Sequence, residues 1–237
     1  MRQIWLARHG ESAGNVAATR AELNGDEMLA IDTRDPDTPL TEVGVEQARA
    51  LGAWLADQEP PFAIWCSPYV RARDTAQIAR DRAGLDLDLH LDERLRDREL
   101  GILDLLTSRG VQARYPDEAA RRLRLGKFWY RAPGGESWAD VALRLRSVLA
   151  EIIRADVPTL IVAHDVVVSL VVYVLCGMTE AEILALTRER GVGNATVTTL
   201  TPDGERWRVE GFAETGHLHA EAAPVTVHGK DPHVDVL

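Results

Sequence analysis

The stretch Leu6-Ala7-Arg8-His9-Gly10-Glu11-Ser12 directly follows a short apolar run, Ile4-Trp5-Leu6, that is typical of a buried first strand. The glycine after the Arg-His pair leaves both side chains uncrowded at the carboxyl end of that strand, where open α/β sheets bind ligands. A neutral imidazole is a good nucleophile near neutral pH, and a guanidinium suits phosphate oxygens. The pairing of Arg8 with His9 therefore indicates phosphoryl transfer to histidine.

The rest of the chain alternates between apolar runs and helical patterns. Runs that suit buried parallel strands lie at 62–66, 85–91 and 160–163, beside the first run at 4–7. Thr41 is the expected N-cap of a helix that continues to about Asp57, and Ser137 that of a helix to about Ala155. This alternation predicts an α/β fold with a parallel sheet and right-handed crossovers.

Three segments depart from the alternation. Residues 101–135 have no strand pattern and are rich in arginine, which indicates a helical insertion or lid over the edge of the sheet. Residues 17–39 are polar and are expected to form a long loop with some helix. From His217 onward the apolar pattern fades, so we expect a loosely held tail on a single domain that spans residues 1–237.

Composition favours a globular protein of a reducing compartment. The 237 residues are 46% hydrophobic, enough for a substantial core. Cys66 and Cys176 are far apart and match no metal-ligand spacing, so both are expected to be reduced thiols. The opening strand leaves no room for a signal peptide, and we expect a cytoplasmic location.

The most apolar stretch, residues 159–178, does not resemble a membrane span. His164 and Asp165 lie near its middle, and its uninterrupted apolar run is about half of the roughly 20 residues that a span needs. The net charge of −10 argues against nucleic acid and anionic membranes as partners. That charge also repels anions at a distance, so local arginines must reverse the potential at any phosphate site.

Two further strand ends carry candidate site residues. The second apolar run ends at Cys66, and a helix begins near Tyr69, which puts Arg71 in its first turn beside the same sheet edge as His9; Arg73 points elsewhere. His164 follows the run 160–163 at an equivalent position. A lone histidine there is more often structural, but two histidines at equivalent strand ends, each with an arginine near, favour a shared site.

A general acid is needed to protonate a departing alkoxide. Asp97 and Glu99 are the candidates, and the alternative is a solvated charge cluster with the neighbouring arginines. Ser12 and Asn15 mark a helix start, which favours an anion, although Asn15 is almost as well explained as a simple helix cap. The lid contributes a basic run that contacts a second anionic group or forms a solvated helix face: Arg121, Arg122, Arg124, Lys127 and Arg131.

Taken together, these segments resemble the histidine phosphatase superfamily, also called phosphoglycerate mutase-like, over nearly the whole chain. Its opening motif matches residues 8–12 with Asn15. The later landmarks match Pro39-Leu40-Thr41-Glu42-Val43-Gly44 with Gln47-Ala48, Ser67-Pro68 with Arg71-Ala72 and Thr75-Ala76, Gly134-Gly135-Glu136-Ser137, and His164. The resemblance implies a three-layer α/β/α fold with a mostly parallel central sheet and a helical lid insertion.

The resemblance also implies roles for these residues. His9 would attack phosphorus and become phosphohistidine, while Arg8, Arg71 and His164 hold the phosphoryl oxygens. The proton donor of the family lies four residues before a glycine, and counting back from Gly101 gives Asp97. The family more often has glutamate there, which leaves Glu99 as a competitor. Asp165 is a second departure, because many members have glycine at that position.

The branch of the family is less sharply indicated. Tyr130-Arg131-Ala132-Pro133, the Gly-Gly-Glu-Ser segment after it, and Arg114-Tyr115-Pro116-Asp117 are similar to the fructose-2,6-bisphosphatase branch. The Glu-Arg-His-Tyr-Gly segment of the glycolytic mutases has no match in Arg98-Glu99-Leu100-Gly101. A phosphatase is therefore favoured, with a phosphomutase on the same phosphohistidine as the alternative and a non-catalytic phosphate-binding module as a third, weaker reading.

Neither a metal nor a cofactor is required by this chemistry, and none is expected. The expected partner is a small phosphorylated metabolite, with no nucleic acid and no membrane. Assembly as a homodimer is left open.

Overall fold

A computed structural model describes residues 3–58 and 63–228, and all structural statements below concern these residues. They contain one six-stranded mixed sheet. Its strands are β1 (Ile4–Arg8), β2 (Ala63–Cys66), β3 (Leu89–Leu91), β4 (Thr159–Ala163), β5 (Val197–Asp203) and β6 (Arg206–Glu214). The spatial order is β3-β2-β4-β1-β5-β6. The first four strands in this order run parallel, and β5 and β6 join antiparallel.

The antiparallel pair β5–β6 was not predicted. Trp207 and Val209 alternate with charged residues along β6, a period of two that is typical of a half-buried strand. The predicted run at 85–91 contributes only β3, and Phe62 of the predicted run at 62–66 lies outside the described residues.

Nine α-helices are present within the described residues. They are α1 (Ala13–Asn24), α2 (Glu42–Ala56), α3 (Val70–Arg82), α4 (Ser108–Arg114), α5 (Pro116–Trp129), α6 (Trp138–Ala155), α7 (Asp165–Cys176), α8 (Glu180–Glu189) and α9 (Gly216–Ala220). Three short 3₁₀ helices occupy Asp35–Asp37, Glu93–Leu95 and Gly101–Leu103. The predicted caps are present: the hydroxyl of Thr41 accepts from the backbone N–H of Gly44, and Ser137 forms a capping box with Asp140.

Alternate side chains of the central strands build the two faces of the core. Ile4 and Leu6 join a cluster that contains the apolar stripes of α6 and α7. Trp5 and Ala7 join a second cluster with α2 and α3. Because successive side chains of a strand point to opposite faces, a central strand whose residues are all buried, such as β1, needs helices on both sides. The predicted three-layer α/β/α fold is confirmed.

The segment 101–135 carries α4 and α5, as its lack of strand pattern indicates. Phe128 is buried and packs edge-on against Tyr173, with ring centroids 5.3 Å apart, and lies near Trp138. These contacts attach the segment to α6 and α7.

Residues 217–228 differ from the loosely held tail that we expected. Leu218 is fully buried in α9, and Ala223 is also buried. The side-chain amide of Gln47 donates to the Pro224 carbonyl and to the Thr226 hydroxyl, both at 2.8 Å. The segment is therefore held by two buried apolar side chains and by hydrogen bonds, and an apolar pattern does not reveal the hydrogen bonds. The rest of the expected tail, residues 229–237, lies outside the described residues.

Neither Cys66 nor Cys176 forms a disulfide in this structure, and burial raises the pKa of the Cys66 thiol to about 12. Within the described parts of the chain, no helix combines the length and the apolar character needed to cross a bilayer.

Candidate active site

The carboxyl ends of β1 and β4 bring the two histidines together. The parallel register pairs Arg8 with Ala163, and the backbone N–H of His9 donates to the Ala163 carbonyl at 2.9 Å. His164 follows at once as the N-cap of α7. The two imidazole centroids are 5.2 Å apart, and both rings are buried.

The partners of His9 define its protonation. Its Nδ1 lies 2.7 Å from the carbonyl oxygen of Gly10, which can only accept, so Nδ1 carries the proton. The guanidinium Nε–H of Arg71 donates to Nε2 at 3.2 Å, so Nε2 presents its lone pair. The ring is therefore the neutral tautomer with Nε2 unprotonated, the form that a nucleophilic imidazole needs.

Two glycines let the turn after β1 approach α2. A β-carbon on Gly44 would lie 2.0 Å from the carbonyl oxygen of Glu11, and one on Gly10 would lie 2.5 Å from that of Gly44. Neither position accommodates a larger residue without a backbone shift. The backbone N–H of Gly10 also donates to the Thr75 hydroxyl at 3.0 Å, which ties the turn to α3.

Arg71 lies in the first turn of α3 with its side chain 5% exposed. Besides His9, it contacts two carboxylates. Its Nη2 lies 3.0 Å from an oxygen of Asp97, and its Nη1 donates to the backbone carbonyl of Asp35 at 2.6 Å. The Asp35 carboxylate completes a second ion pair, 3.0 Å from Nη1.

Arg8 reaches the loop before β5 and the C-terminal segment. Its Nη1 donates to the Val192 carbonyl at 2.7 Å, and both terminal nitrogens lie 3.4 Å from the carbonyl oxygen of His228. Its Nε is buried and has no hydrogen-bond partner among the described residues. A buried donor without a partner lowers the stability of the fold, and a bound anion would supply the missing acceptor.

His164 is held from both sides. Its Nε2 lies 2.9 Å from the hydroxyl of Ser67, and its Nδ1 lies 3.2 Å from the Asp97 carboxylate. The Nδ1–Asp97 contact has an ion-pair distance but not the geometry of a hydrogen bond, and Nδ1 is the second buried polar atom without a hydrogen-bond partner in the described residues.

The two candidate acids have different surroundings. Asp97 contacts both Arg71 and His164, and its carboxylate also accepts from the backbone N–H of Arg98 at 2.8 Å. Glu99 is exposed and accepts a hydrogen bond from the Tyr69 hydroxyl at 3.1 Å. Asp97 thus lies inside the cluster, and Glu99 lies at its rim.

Burial and these neighbouring charges determine the direction in which each pKa of the site is shifted. Burial lowers the pKa of His9 well below its usual value, and the charge of Arg71, followed by His164 and Arg8, acts in the same direction. Burial also lowers the pKa of His164, although Asp97 opposes that shift. Burial alone would raise the pKa of Asp97, but His164 and Arg71 outweigh it and hold that pKa well below its usual range.

Ser12 and Asn15 form the N-terminal capping box of α1. Asn15 N–H donates to the Ser12 hydroxyl at 3.2 Å, and Ser12 N–H donates to the Asn15 side chain at 3.1 Å. The Asn15 oxygen also accepts from the amide of Asn194 at 3.0 Å. These contacts match the capping alternative for Asn15. The Asp165 carboxylate accepts from the backbone N–H of Val166 at 2.7 Å, within the first turn of α7.

Side chains of the basic run in residues 121–131 contact other residues of the chain. Arg131 pairs with Asp140, Arg121 lies 3.7 Å from Glu118, and the ammonium of Lys127 lies over the Trp138 ring. Three of the five cations are therefore engaged by residues of the chain itself.

Several site residues were missed from the sequence. Asp35 lies in a polar segment with no regular pattern, so only the structure reveals its contact with Arg71. Ser67 and Tyr69 belong to a motif that was noted only for Arg71. Asn194, which donates to the His9 carbonyl at 3.2 Å, follows a glycine-rich loop that offers no periodic signal.

No group of three or more His, Cys, Asp or Glu side chains in residues 3–58 and 63–228 is arranged to hold a metal ion.

Comparison with known proteins assigns the family. Residues 4–215 match the model of the histidine phosphatase superfamily (branch 1). A 2,3-bisphosphoglycerate-dependent phosphoglycerate mutase from Sinorhizobium fredii is 32% identical over 199 residues, which cover 79% of this chain and 85% of that protein. The chain belongs to branch 1 of the histidine phosphatase superfamily, and the predicted enzyme class, a phosphoric monoester hydrolase of the histidine phosphatase type, agrees with this membership.

Two other relatives carry phosphatase names. A 6-phosphofructo-2-kinase/fructose-2,6-bisphosphatase from Caenorhabditis elegans is 36% identical over 169 residues, or 70% of this chain; the chain spans about a third (32%) of that relative's length. A structure of a mycobacterial glucosyl-3-phosphoglycerate phosphatase in complex with VO3 has a TM-score of 0.69 and 29% identity. The alignment covers 90% of this chain and 99% of that one.

Proposed function

We propose that this chain is a phosphatase that hydrolyses a small phosphomonoester through a phosphohistidine on Nε2 of His9. One observation carries the proposal: the Gly10 carbonyl accepts a hydrogen bond from Nδ1–H of His9, while Arg71 donates to Nε2. The low pKa of the buried ring keeps that lone pair available at neutral pH.

The phosphoryl group binds between Arg71, Arg8 and His164. The unpartnered Nε of Arg8 and the forked donors of Arg71 suit three oxygens on which negative charge develops during transfer. His164 adds a third donor when its ring is oriented by Ser67. Positioned donors in a buried site need no metal ion, so we propose a metal-independent reaction.

Asp97 is the proposed proton donor to the leaving oxygen. Its contacts with Arg71 and His164 hold its carboxyl ionised. A bound phosphoryl group takes over those donors and adds its own negative charge beside the carboxylate, and both effects raise the pKa of Asp97. With its pKa raised, Asp97 takes up a proton from solvent and delivers it to the alkoxide as the bond between phosphorus and the leaving oxygen breaks. It afterwards accepts a proton from the attacking water.

The assay that tests this function is release of inorganic phosphate from a panel of sugar and carboxylate phosphates with EDTA present. We expect turnover in the unmodified chain and its loss in His9→Ala. His90→Ala is the matched control, because that exposed imidazole stacks on Trp65 at the sheet edge. Turnover that persists in His9→Ala, or that EDTA abolishes, contradicts the proposal.

The acid is tested with leaving groups of different basicity. Asp97→Asn should slow hydrolysis of alkyl phosphates by about 10²- to 10⁴-fold and hydrolysis of 4-nitrophenyl phosphate much less, because a phenolate needs little protonation. Glu99→Gln should affect both classes weakly. An equal response of the two variants would leave Asp97 without support.

The second candidate is a phosphomutase that uses the same phosphohistidine. The mutase relatives, at 30 to 33% identity and 85 to 88% coverage of their length, favour it. Its phosphohistidine would return the phosphoryl group to product rather than to water. Transfer of labelled phosphate into product without free phosphate would select the mutase over the phosphatase.

A further inference from the structure

The carboxylate of Asp35 is a charged neighbour of the proposed phosphoryl site that lies nearer to solvent than the catalytic side chains. Its side chain is 41% exposed, against 24% for Asp97 and 5% for Arg71. Its two oxygens lie 3.0 Å from Nη1 and 3.3 Å from Nη2 of Arg71. Asp35 therefore lies between the buried donors and the mouth of the site.

The backbone keeps Asp35 in this position. Its own carbonyl accepts from Nη1 of Arg71 at 2.6 Å, and the residue begins the 3₁₀ helix Asp35–Asp37, whose last residue forms an ion pair with Arg34. If phosphoryl oxygens take the side-chain contacts of Arg71, the carboxylate of Asp35 loses its partner but remains beside the site.

The polar groups around Arg71 separate into an inner and an outer set. The two buried atoms without hydrogen-bond partners, Arg8 Nε and His164 Nδ1, mark the inner side, where a phosphoryl group finds donors. Asp35 and Asp97 both accept from the same Nη2 of Arg71, so the two carboxylates are close neighbours. Glu99 adds a third carboxylate through Tyr69.

We propose that Asp35 is a specificity-determining residue. It favours phosphomonoesters whose alcohol part is neutral or positively charged, and it disfavours those that carry a carboxylate or second phosphate beside the reacting group. This inference rests on the proposed function, because it assumes that the phosphoryl group occupies the inner side. Asp97 borders the inner side through His164 Nδ1, so the outer carboxylate that a second anion would face is that of Asp35.

The size of the effect follows from Coulomb's law. Two like charges about 6 Å apart in a partly exposed site, with an effective dielectric constant of about 40, repel enough to change binding about tenfold. The discrimination between a neutral and an anionic ligand of equal size should therefore be about tenfold or more.

A matched pair of ligands tests this directly: glycerol 3-phosphate and 3-phosphoglycerate differ by a hydroxymethyl group in place of a carboxylate. Calorimetry on the His9→Ala variant measures their binding without turnover. We expect glycerol 3-phosphate to bind at least about tenfold tighter, and Asp35→Asn on that background to lower the ratio by about tenfold. Asp37→Asn, on the same 3₁₀ helix but paired with Arg34, is the control and should leave the ratio unchanged.

Asp35→Asn also frees Arg71, which could raise the affinity for both ligands equally. Such a shared gain cancels in the ratio of the two affinities. Equal binding of the two ligands, tighter binding of 3-phosphoglycerate, no binding of either, or a ratio that Asp35→Asn does not change would each overturn the inference. Hydrolysis of 4-nitrophenyl phosphate by the unmodified chain is measured in parallel. Its absence would remove the proposed function, whereas equal ligand binding with hydrolysis intact would remove only the role of Asp35.

Discussion

Replacing Arg71 by lysine keeps the positive charge and removes the planar fork. In the structure, Nε of Arg71 donates to His9, while Nη1 and Nη2 reach Asp35 and Asp97. A lysine ammonium is a single point of charge, so it cannot present two fixed donors to two phosphoryl oxygens at once. The substitution should therefore reduce the stabilisation of the transition state, measured as kcat/KM, rather than prevent folding.

The magnitude follows from the contacts that are lost. Two charge-assisted hydrogen bonds at about 1.5 to 2 kcal/mol each amount to about 3 to 4 kcal/mol of transition-state stabilisation. At about 1.4 kcal/mol per factor of ten, Arg71→Lys should lower kcat/KM by about 10²- to 10³-fold.

The assay is steady-state hydrolysis of 4-nitrophenyl phosphate, with urea unfolding to verify that the variant is folded. Arg73→Lys is the matched control, because that side chain lies two residues further along α3, is 43% exposed and pairs with Asp74. It should change kcat/KM by no more than about twofold. A loss below about tenfold in a folded Arg71→Lys variant, or an equal loss in both variants, would refute the reasoning.

Three further predictions concern stability. Burial lowers the pKa values of His9 and His164, so the unfolded chain binds more protons than the folded chain below about pH 6.5. The free energy of unfolding, measured by urea titration, should therefore fall as the pH drops from 7.5 to 5.5. A rise over that range would contradict this. Gly44→Ala should destabilise the fold by about 1 to 3 kcal/mol through its clash with backbone, whereas Gly216→Ala, with open space around it, should change stability by less than about 0.5 kcal/mol. Phe128→Ala should lower the free energy of unfolding by about 3 to 5 kcal/mol, and a loss below about 1 kcal/mol would show that residues 101–135 are not held by this side chain.

Strand ends were the part of the fold most open to prediction. The runs that became β1, β2 and β4 are apolar on both faces, and such runs in alternation with amphipathic helices lead to a buried parallel sheet. His9 and His164 could be placed together for that reason, since parallel strands end at the same edge.

Contacts made by irregular segments could not be predicted. Asp35 reaches Arg71 from a loop whose path depends on tertiary packing, and no periodicity marks it. The segment that ends at His228 is held by hydrogen bonds to side chains such as Gln47, so its fading apolar pattern was misleading. Both errors arise from treating apolar periodicity as the main signal of order.

The choice between Asp97 and Glu99 shows the limit of spacing arguments. The count from Gly101 favours Asp97, but two carboxylates two residues apart are equivalent in sequence. In the structure, a β-carbon on Gly101 would lie 2.2 Å from the Pro133 carbonyl, and one on Gly135 would lie 2.6 Å from the Glu99 carbonyl. The backbone at residues 99–101 therefore packs closely against that at residues 133–135. With the chain held there, Asp97 lies inside the cluster and Glu99 lies at its rim.

The site of phosphorylation tests the central claim most directly. The chain is mixed with substrate, quenched within milliseconds at alkaline pH, and examined by peptide mass spectrometry and ³¹P NMR. We predict a phosphoryl group on Nε2 of His9, because Nδ1 is held by the Gly10 carbonyl. A phosphoryl group on Nδ1, on another residue, or on none while substrate is consumed would contradict the account.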